Sequence, residues 1–396
     1  MKFGHSNISR IDLYLACSLS ARVAKIVANR ANLVEYVMRL NPTATAPAER
    51  RRETPIAFIK AISEAYLRYG RDLNNLLQTA QIKPADLTDT NLKVSSLQME
   101  RASLIAMQEL DDEALGWFER RLPWGSYAML LRASLSSANL GLALKRWCRH
   151  HGLLTQRITL ATETLDGKAR IVLTEQQPLH DDLHNWQEFC VVSVLRNALG
   201  VAQWLIDSQI RLQSIQLGFS APQHKDSYRV LFDGPVSFNA RAHVVEFDAG
   251  YLALPVRRDE AAAQRLLQRA LQLMVWPYRR DRLLIERIHQ WLRDNPNQQT
   301  AEKLSKMLHM STRTLHRQLH ENGTSLQALK DKVRQELAYE LLARTDRPIK
   351  SIATAVGFQN EKSFIRAFNH WQGCSPGQWR QMLSHGMIAQ TYPDQV

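Results

Sequence analysis

The sequence has 396 residues, of which 45% are apolar and 22% charged, enough to form two or three globular domains. Lysine and arginine number 51 against 38 aspartates and glutamates, and the net charge of +13 is consistent with a polyanionic partner. The 16 glycines and 14 prolines are too few for a fibrous protein or a long low-complexity linker.

The cysteines and apolar segments indicate a reducing, aqueous compartment. Cys17, Cys148, Cys190 and Cys374 stand far apart, so the sequence predicts neither a disulfide framework nor a zinc ribbon. The longest candidate membrane segment, residues 11–38, is interrupted by charged side chains throughout, which argues against a signal peptide or a spanning helix. We therefore expect a cytoplasmic protein that does not associate with a membrane.

Charge is distributed unevenly along the chain. Residues 1–53 carry 9 basic and 4 acidic side chains and residues 281–385 carry 16 and 10, whereas residues 54–280 are nearly balanced at 26 and 23. Residues 1–53 are interpreted as a basic N-terminal extension with an amphipathic helix at Leu13–Leu40. A loosely ordered extension is favoured over a helix that binds a membrane surface or a partner.

Residues 54–276 combine helical and strand patterns. Apolar residues recur at helical spacing in residues 56–67, 97–110, 140–147, 183–205 and 259–276. β-rich stretches predict a hairpin about Asp166-Gly167 and three further strands, at Ile215–Phe219, Tyr228–Phe232 and Val244–Phe247. Helices grouped before strands indicate an α+β domain.

Residues 281–385 contain short, closely spaced helical patterns and no strand pattern. Thr300 and Ser311 are expected to N-cap two short helices, the second of which ends at Asn322-Gly323. Because only His309-Met310 separates these helices, they form a candidate helix-turn-helix.

An internal repeat strengthens this prediction. Residues Leu304, Leu308, Met310, Leu315, Arg317 and Leu319 reappear 48 or 49 positions later as Ile352, Val356, Phe358, Phe364, Arg366 and Phe368. Each copy repeats the apolar residues that hold a helix pair together, with the same arginine on the outer face. The sequence therefore predicts an all-α C-terminal domain with two helix-turn-helix units.

A linker helix from Ser325 to Arg344 is predicted between the two units. Its apolar stripe consists of Leu326, Leu329, Val333, Leu337 and Leu341. About 20 residues at about 1.5 Å each give a rod of about 30 Å. This is close to the roughly 34 Å between successive major-groove segments on one face of B-DNA. One chain is thus expected to place two recognition helices in adjacent turns of the groove.

Motifs of the second unit carry a family resemblance. They are Ile352-Ala353 with Gly357-Phe358, Ser363–Phe368, Gly373–Pro376 and Trp379-Arg380. With these motifs, residues 300–380 resemble the DNA-binding domain of the AraC/XylS regulators. Two positions depart from the family pattern, since His309 stands where glycine is common and Asn369 where a basic residue is usual. The resemblance implies a transcriptional activator that binds promoter DNA and RNA polymerase at the bacterial nucleoid.

Further motifs lie in the middle segment, at Leu122–Tyr127, Ser134–Leu144, Phe219–Pro222, Val236–Phe238 and Leu254-Pro255. They resemble the sensor domain, labelled arabinose-binding, of one branch of these regulators. The resemblance implies that residues 54–276 form an α/β effector-sensing and dimerisation domain rather than a jelly roll. It also implies a small-molecule effector and a homodimer.

Helix phase assigns the predicted DNA contacts. With Leu315, Leu319, Phe364 and Phe368 in the core, the outward residues of the two recognition helices are Thr312, Arg313, His316, Arg317, Asn360, Glu361, Lys362, Ser363 and Arg366. Arginine can bond guanine with two hydrogen bonds, and the shorter polar side chains can reach base edges or phosphates. His320 also faces outward, but an ordinary solvated position explains it equally well.

Aromatic residues of the middle segment either belong to its core or line an effector cavity. The residues assigned to effector binding are Trp124, Tyr127, Trp147 and Trp186. A regulator whose middle domain only dimerises or binds a protein stays open as an alternative.

Enzymatic alternatives have little support. The run His180-Asp181-Asp182 with His184 lacks the spacing of a known metal site, and Asp182 is explained as a helix cap. A DNA-repair alkyl acceptor needs an activated cysteine, for which Cys148 is the only candidate. The sequence predicts no enzyme, no cofactor and no metal site.

Overall fold

The computed structural model describes residues 53–179, 186–267, 278, 280–296 and 299–385. In this part of the chain a mixed α/β region precedes an all-helical region, as predicted. The predicted helix at Leu13–Leu40 and the run from His180 to His184 lie outside the described residues.

The N-terminal region begins with a small two-stranded sheet and several helices. In chain order these elements are β1 (Glu53–Pro55), α1 (Ile56–Arg68), α2 (Asn74–Ala80), β2 (Lys93–Ser95), α3 (Ser96–Glu109), α4 (Ser126–Leu135) and α5 (Leu140–His151). Strands β1 and β2 pair antiparallel. Asn139 N-caps α5, since its side chain accepts a hydrogen bond from the backbone N–H of Leu142 at 3.0 Å.

A second sheet has five strands in the order β3-β4-β7-β5-β6. The strands are β3 (Ile158–Leu165), β4 (Lys168–Glu175), β5 (Leu212–Gln216), β6 (Val236–Ser237) and β7 (His243–Asp248). All neighbours are antiparallel except β5 and β6. The predicted hairpin is confirmed, because Asp166 and Gly167 both adopt positive φ (49° and 73°) and join β3 to β4 in two residues.

Helix α6 (Gln187–Ile206) lies in the core of this region. Most of its residues are buried, and Phe189 contacts both Phe58 of α1 and Trp117 at ring-centroid distances of 5.2 and 5.1 Å. By length and composition α6 is the one helix of the described residues that matches a membrane span, but it is mostly buried inside the domain. It is therefore the central helix of the core.

Three predicted elements of this region need correction. Residues 228–232 form a one-turn helix, α7 (Tyr228–Phe232), rather than a strand. Tyr228, Leu231 and Phe232 are buried, and their spacing of three and four residues places them on one helix face.

The bounds of two other elements also differ from the prediction. Strand β5 ends at Gln216, so the strand predicted at Ile215–Phe219 begins and ends too late in the chain. Helix α6 begins at Gln187, so the predicted start at Leu183 is also wrong. Helix α8 (Glu260–Leu267) covers the described part of the last predicted helix.

The C-terminal region is entirely helical where it is described. Its helices are α9 (Arg282–Asp294), α10 (Ala301–Met307), α11 (Thr312–Glu321), α12 (Leu326–Arg344), α13 (Ile349–Ala355), α14 (Glu361–Gln372) and α15 (Pro376–Ser384). Thr300, Ser311 and Ser325 N-cap α10, α11 and α12, which confirms the predicted helix starts. Helix α11 ends at Asn322, and Gly323 adopts the left-handed conformation (φ 71°).

Two separate cores form in this region, and both use the linker helix α12. The first core combines buried leucines and isoleucine of α9, α10 and α11 with Leu326, Leu329 and Val333. The second combines Ala338, Tyr339 and Leu342 with apolar residues of α13 and α14. At 100° per residue these two sets lie on roughly opposite faces of α12. The predicted single stripe is therefore correct for the first core, where Leu337 packs at the margin, but it misses the second core, against which Leu337 and Leu341 are only partly buried.

Candidate DNA interface and aromatic cavity

Helices α11 and α14 occupy equivalent positions in the two units and present the predicted DNA contacts to solvent. The buried residues are Leu315 and Leu319 in α11 and Phe364 and Phe368 in α14. Thr312 and Glu361 are half-buried, and the exposed residues are Arg313, His316, Arg317, His320, Asn360, Lys362, Ser363 and Arg366. The helix phase deduced from the repeat therefore agrees with the burial of both helices.

The basic residues of these two surfaces have no acidic partner. Within the described residues, no carboxylate pairs with Arg313, Arg317, Lys362 or Arg366, whereas α12 and α9 hold ion pairs such as Arg344 with Glu340 at 3.2 Å. Unpaired cations on an exposed helix face remain available for phosphate or guanine. Asn360 differs from these residues, because its Oδ1 accepts a hydrogen bond from the backbone N–H of Ser363 at 2.8 Å and caps α14.

The turns of the two units both use left-handed residues. His309 adopts φ 53°, so the first turn has the conformation for which glycine is common. Gly357 adopts φ 86° in the second turn, and a Cβ atom there would lie 2.5 Å from the carbonyl oxygen of Pro296. The second unit thus packs closely against the loop after α9, where only glycine fits.

Four aromatic side chains of the N-terminal region line a cavity of about 130 Å³, here called the aromatic cavity. Three of the four predicted effector residues line it, namely Trp124, Tyr127 and Trp147. The rings of Tyr127 and Trp147 are stacked, with centroids 6.1 Å apart. Trp186 does not line this cavity: it is buried elsewhere, with the guanidinium of Arg68 at 4.9 Å from its ring.

Sequence reasoning missed several residues of this cavity. Glu113, Trp117, Ser193 and Asn197 also line it. Ser193 and Asn197 are four residues apart on α6 and share one face. The sequence of α6 could have indicated a polar position in the cavity wall, because Ser193 and Asn197 both interrupt an otherwise apolar helix.

Glu113 is the ionisable side chain of the cavity wall. Its two carboxylate oxygens accept hydrogen bonds from the backbone N–H groups of Gly125 and Tyr127, both at 2.8 Å. Burial raises the pKa of Glu113, and the neighbouring carboxylates of Asp112 and Asp111 contribute in the same direction. The hydrogen bonds fix the loop that carries Trp124 and Tyr127 against the cavity.

The hydroxyl group of Tyr127 lies 3.2 Å from Nε2 of His151, which is fully buried at the end of α5. Burial lowers the pKa of His151 to about 4 from its ordinary 6.5. Between pH 6.5 and 4 the unfolded chain binds a proton at this residue that the folded chain does not. We therefore expect the free energy of unfolding to decrease as the pH is lowered from 6.5 to 4, by about 3 kcal/mol from this residue.

Replacement of this histidine tests the expectation. His151→Gln should flatten the dependence of urea-unfolding free energy on pH between 6.5 and 4, while the exposed His316→Gln should keep the wild-type dependence. Equal slopes for wild type and His151→Gln would contradict a neutral, buried histidine at this position.

The thiol of Cys148 is not an activated nucleophile. Cys148 is buried on α5, and burial raises the pKa of its thiol to about 12. A thiol of this kind stays protonated at neutral pH, whereas an alkyl acceptor needs a thiolate. Among the described residues, no three His, Cys, Asp or Glu side chains are grouped as metal ligands.

Asp281 links the N-terminal region to the first helix-turn-helix unit. It is almost fully buried, N-caps α9 through Leu284, and accepts hydrogen bonds from Nε of Arg211 at 2.7 Å and from the hydroxyl group of Tyr251 at 3.0 Å. Its backbone N–H donates to Oδ1 of Asn322, the C-cap residue of α11, at 2.8 Å. We call these residues the Asp281 junction, since the side chain of Asp281 contacts the N-terminal region while its backbone N–H contacts the end of a recognition helix.

A second contact lies beside the Asp281 junction. Arg287 of α9 donates to Oδ2 of Asp248, at the end of β7, at 2.8 Å. Sequence reasoning missed both contacts. An aspartate before a helical pattern indicates an N-cap but says nothing of partners 30 and 70 residues away, and Asp248 and Arg287 are themselves 39 residues apart.

Two family models match the chain. Residues 70–256 match the arabinose-binding domain of AraC transcription regulators, found at the N-terminus, and residues 304–382 match a helix-turn-helix domain. The matched ranges coincide with the α/β region that carries the aromatic cavity and with the helical region that carries α11 and α14.

Relatives of the chain are transcriptional regulators. An ornithine utilization regulator of Pseudomonas aeruginosa is 27% identical over 83% of this chain and 96% of its own length. An RCS-specific HTH-type transcriptional activator of Escherichia coli, RclR, is 33% identical over 21% of this chain and 30% of its own length. The crystal structure of the regulator CdpR of Pseudomonas aeruginosa aligns over 78% of this chain and 96% of its own, with 20% identity and a TM-score of 0.29. The chain belongs to the AraC family of DNA-binding transcriptional regulators, in the group with an arabinose-binding-type N-terminal domain.

Proposed function

We propose that this regulator is an activator that binds a small-molecule effector in the aromatic cavity. The observation that carries the proposal is the cavity itself, which combines apolar and aromatic walls with a few polar groups, as ligand sites do. The Asp281 junction supports the proposal, because it offers a physical connection from the same domain to the first recognition helix. An N-terminal domain that only dimerises or binds a protein is the competing function.

The remaining partners follow from the same proposal. The two recognition helices bind adjacent major-groove segments of promoter DNA in the nucleoid, and the N-terminal domain forms a homodimer. The activator contacts RNA polymerase, and the chain has no catalytic role, in keeping with the buried thiol of Cys148.

Sedimentation equilibrium should detect a dimer of the full-length protein, and a monomer at every concentration, with and without DNA, would contradict this part of the proposal.

The effector is tested by a thermal-shift screen of the full-length protein against metabolites, because a ligand that binds only the folded state raises its stability. The similarity to an ornithine utilization regulator places basic amino acids first in the panel. A stabilising compound should also raise transcription from the target promoter in a purified system with RNA polymerase. If no compound changes melting temperature or transcription, the domain that only dimerises or binds a protein becomes the better explanation.

Arg317 and Arg366 are expected to read bases, since they hold the same outward position in the two repeats. Arg317→Ala and Arg366→Ala should each weaken specific DNA binding by about 1–3 kcal/mol and leave the fold intact. Fluorescence anisotropy at fixed salt measures the loss on specific and random duplexes. The exposed Arg229→Ala of the N-terminal domain is the control and should bind both duplexes as wild type does. Equal losses on both duplexes would make these arginines phosphate contacts instead.

A further inference from the structure

The charge of the aromatic cavity indicates what kind of molecule it holds. Its described lining contains one carboxylate, that of Glu113, and no lysine, arginine or histidine. No basic side chain pairs with Glu113 anywhere in the described part of the chain, and its two hydrogen bonds come from neutral backbone N–H groups. Within the described residues, the negative charge that this carboxylate group carries when ionised is therefore offset only by those two backbone groups.

The adjacent residues increase this negative potential. Asp112 is fully buried next to Glu113 and accepts hydrogen bonds from backbone N–H groups and from the hydroxyl group of Tyr69. Asp111 lies one residue further and accepts from the backbone N–H of Trp124. The carboxylate groups of the buried Asp112 and the exposed Asp111 thus add to the negative potential at Glu113, and a buried carboxylate without a cation is costly.

The other walls provide aromatic faces. Trp117, Trp124, Tyr127 and Trp147 line the same cavity, and an aromatic face attracts an organic cation electrostatically. Trp124 is 41% exposed, which places it at the mouth of the cavity. A carboxylate together with several aromatic rings is a combination that binds ammonium groups, because each contributes negative potential in a water-poor site.

Other ligand classes fit this lining less well. An anionic metabolite would meet Glu113 without a basic partner among the described lining residues. A sugar would need many hydrogen-bonding groups, yet apart from Glu113 and the aromatic residues the polar part of the described lining consists of Ser193 and Asn197. The volume of about 130 Å³ is close to that of an engineered cavity that accommodates benzene, so the buried part of the ligand is small.

We propose that the aromatic cavity binds a small organic ammonium ion, with the cationic group between the Glu113 carboxylate and the aromatic faces and the apolar part toward Leu131 and Val201. This assignment rests on the effector-binding function proposed above and adds the charge and size of the ligand. Occupancy would compensate the carboxylate charge and fix the loop from Glu113 to Tyr127.

Three probes of equal chain length but different charge test the assignment on the full-length protein. They are n-butylammonium chloride, butan-1-ol and sodium butyrate, compared at equal concentration and ionic strength at pH 7.5. Only n-butylammonium should raise the melting temperature in a concentration-dependent manner and give a saturable heat in calorimetry. Equal stabilisation by butan-1-ol or butyrate would overturn the assignment.

Variants refine the test. Trp124→Ala removes an aromatic face at an exposed position and should weaken n-butylammonium binding about three- to tenfold. Glu113→Gln should abolish detectable binding of n-butylammonium. This change also disturbs the hydrogen bonds to Gly125 and Tyr127. If Glu113→Gln does not fold, the result for Trp124→Ala decides the test. Leu153→Ala, exposed on the same domain outside the cavity, should bind as wild type. Unchanged binding by Trp124→Ala would contradict the proposed position of the cation.

The result also separates this assignment from the proposed function. If neutral or anionic metabolites of the screen stabilise the protein and alter transcription while n-butylammonium does neither, the cation assignment is wrong and effector binding stands. If no compound of any charge has an effect, both proposals fail.

Discussion

Insertion of four alanines after Gln335 of α12 is expected to abolish protection of the second half of the DNA site. The insertion point lies between Val333, the last α12 residue of the first core, and Ala338, the first of the second core. Four residues lengthen the helix by about 6 Å and rotate the second unit by about 40° beyond one full turn. Each core keeps its fully buried residues, so the far-ultraviolet circular dichroism should stay helical, although the insertion displaces Leu337 from the margin of the first core and separates α9 from its ion-pair partners Glu336 and Glu340.

Footprinting and a salt titration measure the effect. We expect weak, salt-sensitive binding through one unit and a specific affinity lower by about 100-fold or more. An insertion of seven residues is the matched control for rotation, because it restores the phase to within about 20° while adding about 10 Å. A four-alanine variant with the full footprint and affinity would show that the two units bind DNA independently of α12.

Asp281→Ala should cause the largest loss of stability among single substitutions in the described interdomain contact. The change removes the N-cap of α9 and leaves the buried hydroxyl group of Tyr251 without its acceptor. These two effects together should lower the free energy of unfolding by about 2–4 kcal/mol. Because the change also removes the side-chain contacts to Arg211 and Tyr251 that connect the N-terminal region to α9, calorimetry should resolve separate transitions for the two regions.

Two further variants separate the role of Asp281 as a cap from its role as a link. Thr300→Ala removes the N-cap of α10, which bonds only to the backbone N–H of Lys303, and should cost about 1 kcal/mol without a second transition. Asp281→Asn keeps an acceptor for the hydroxyl group of Tyr251. Its free energy of unfolding should therefore lie between those of the wild type and of Asp281→Ala. If Asp281→Ala, like Thr300→Ala, lowers the free energy of unfolding by only about 1 kcal/mol and gives no second transition, the Asp281 junction does not hold the two regions together.

The helix-turn-helix units were predictable because their determinants are local. Caps at Thr300, Ser311 and Ser325 and apolar residues three and four positions apart determine each helix without reference to distant residues. The repeat then identifies the outward face, which places Arg317 and Arg366 correctly on exposed surfaces.

The N-terminal domain was less predictable because its local patterns are decided by distant contacts. Residues 228–232 have the composition of a strand, yet Tyr228 donates a hydrogen bond to Glu188 on α6 at 2.6 Å and the segment folds as a helix. Trp186 and Trp124 are equally suitable for a ligand cavity by residue type, yet Trp124 lines the aromatic cavity whereas Trp186 is buried against Arg68. The partners of Asp281 were likewise invisible, since they come from other elements.

The use of opposite faces of α12 by the two cores bears on how the binding sites of this regulator can change during evolution. A new base preference needs only surface substitutions on α11 or α14, which the cores tolerate. A new distance between the two half-sites needs residues inserted into or deleted from α12, and every such change turns one whole unit around the helix axis by about 100° per residue. Among descendants of this protein, half-site spacing should therefore be inherited unchanged while the bases within the half-sites diverge.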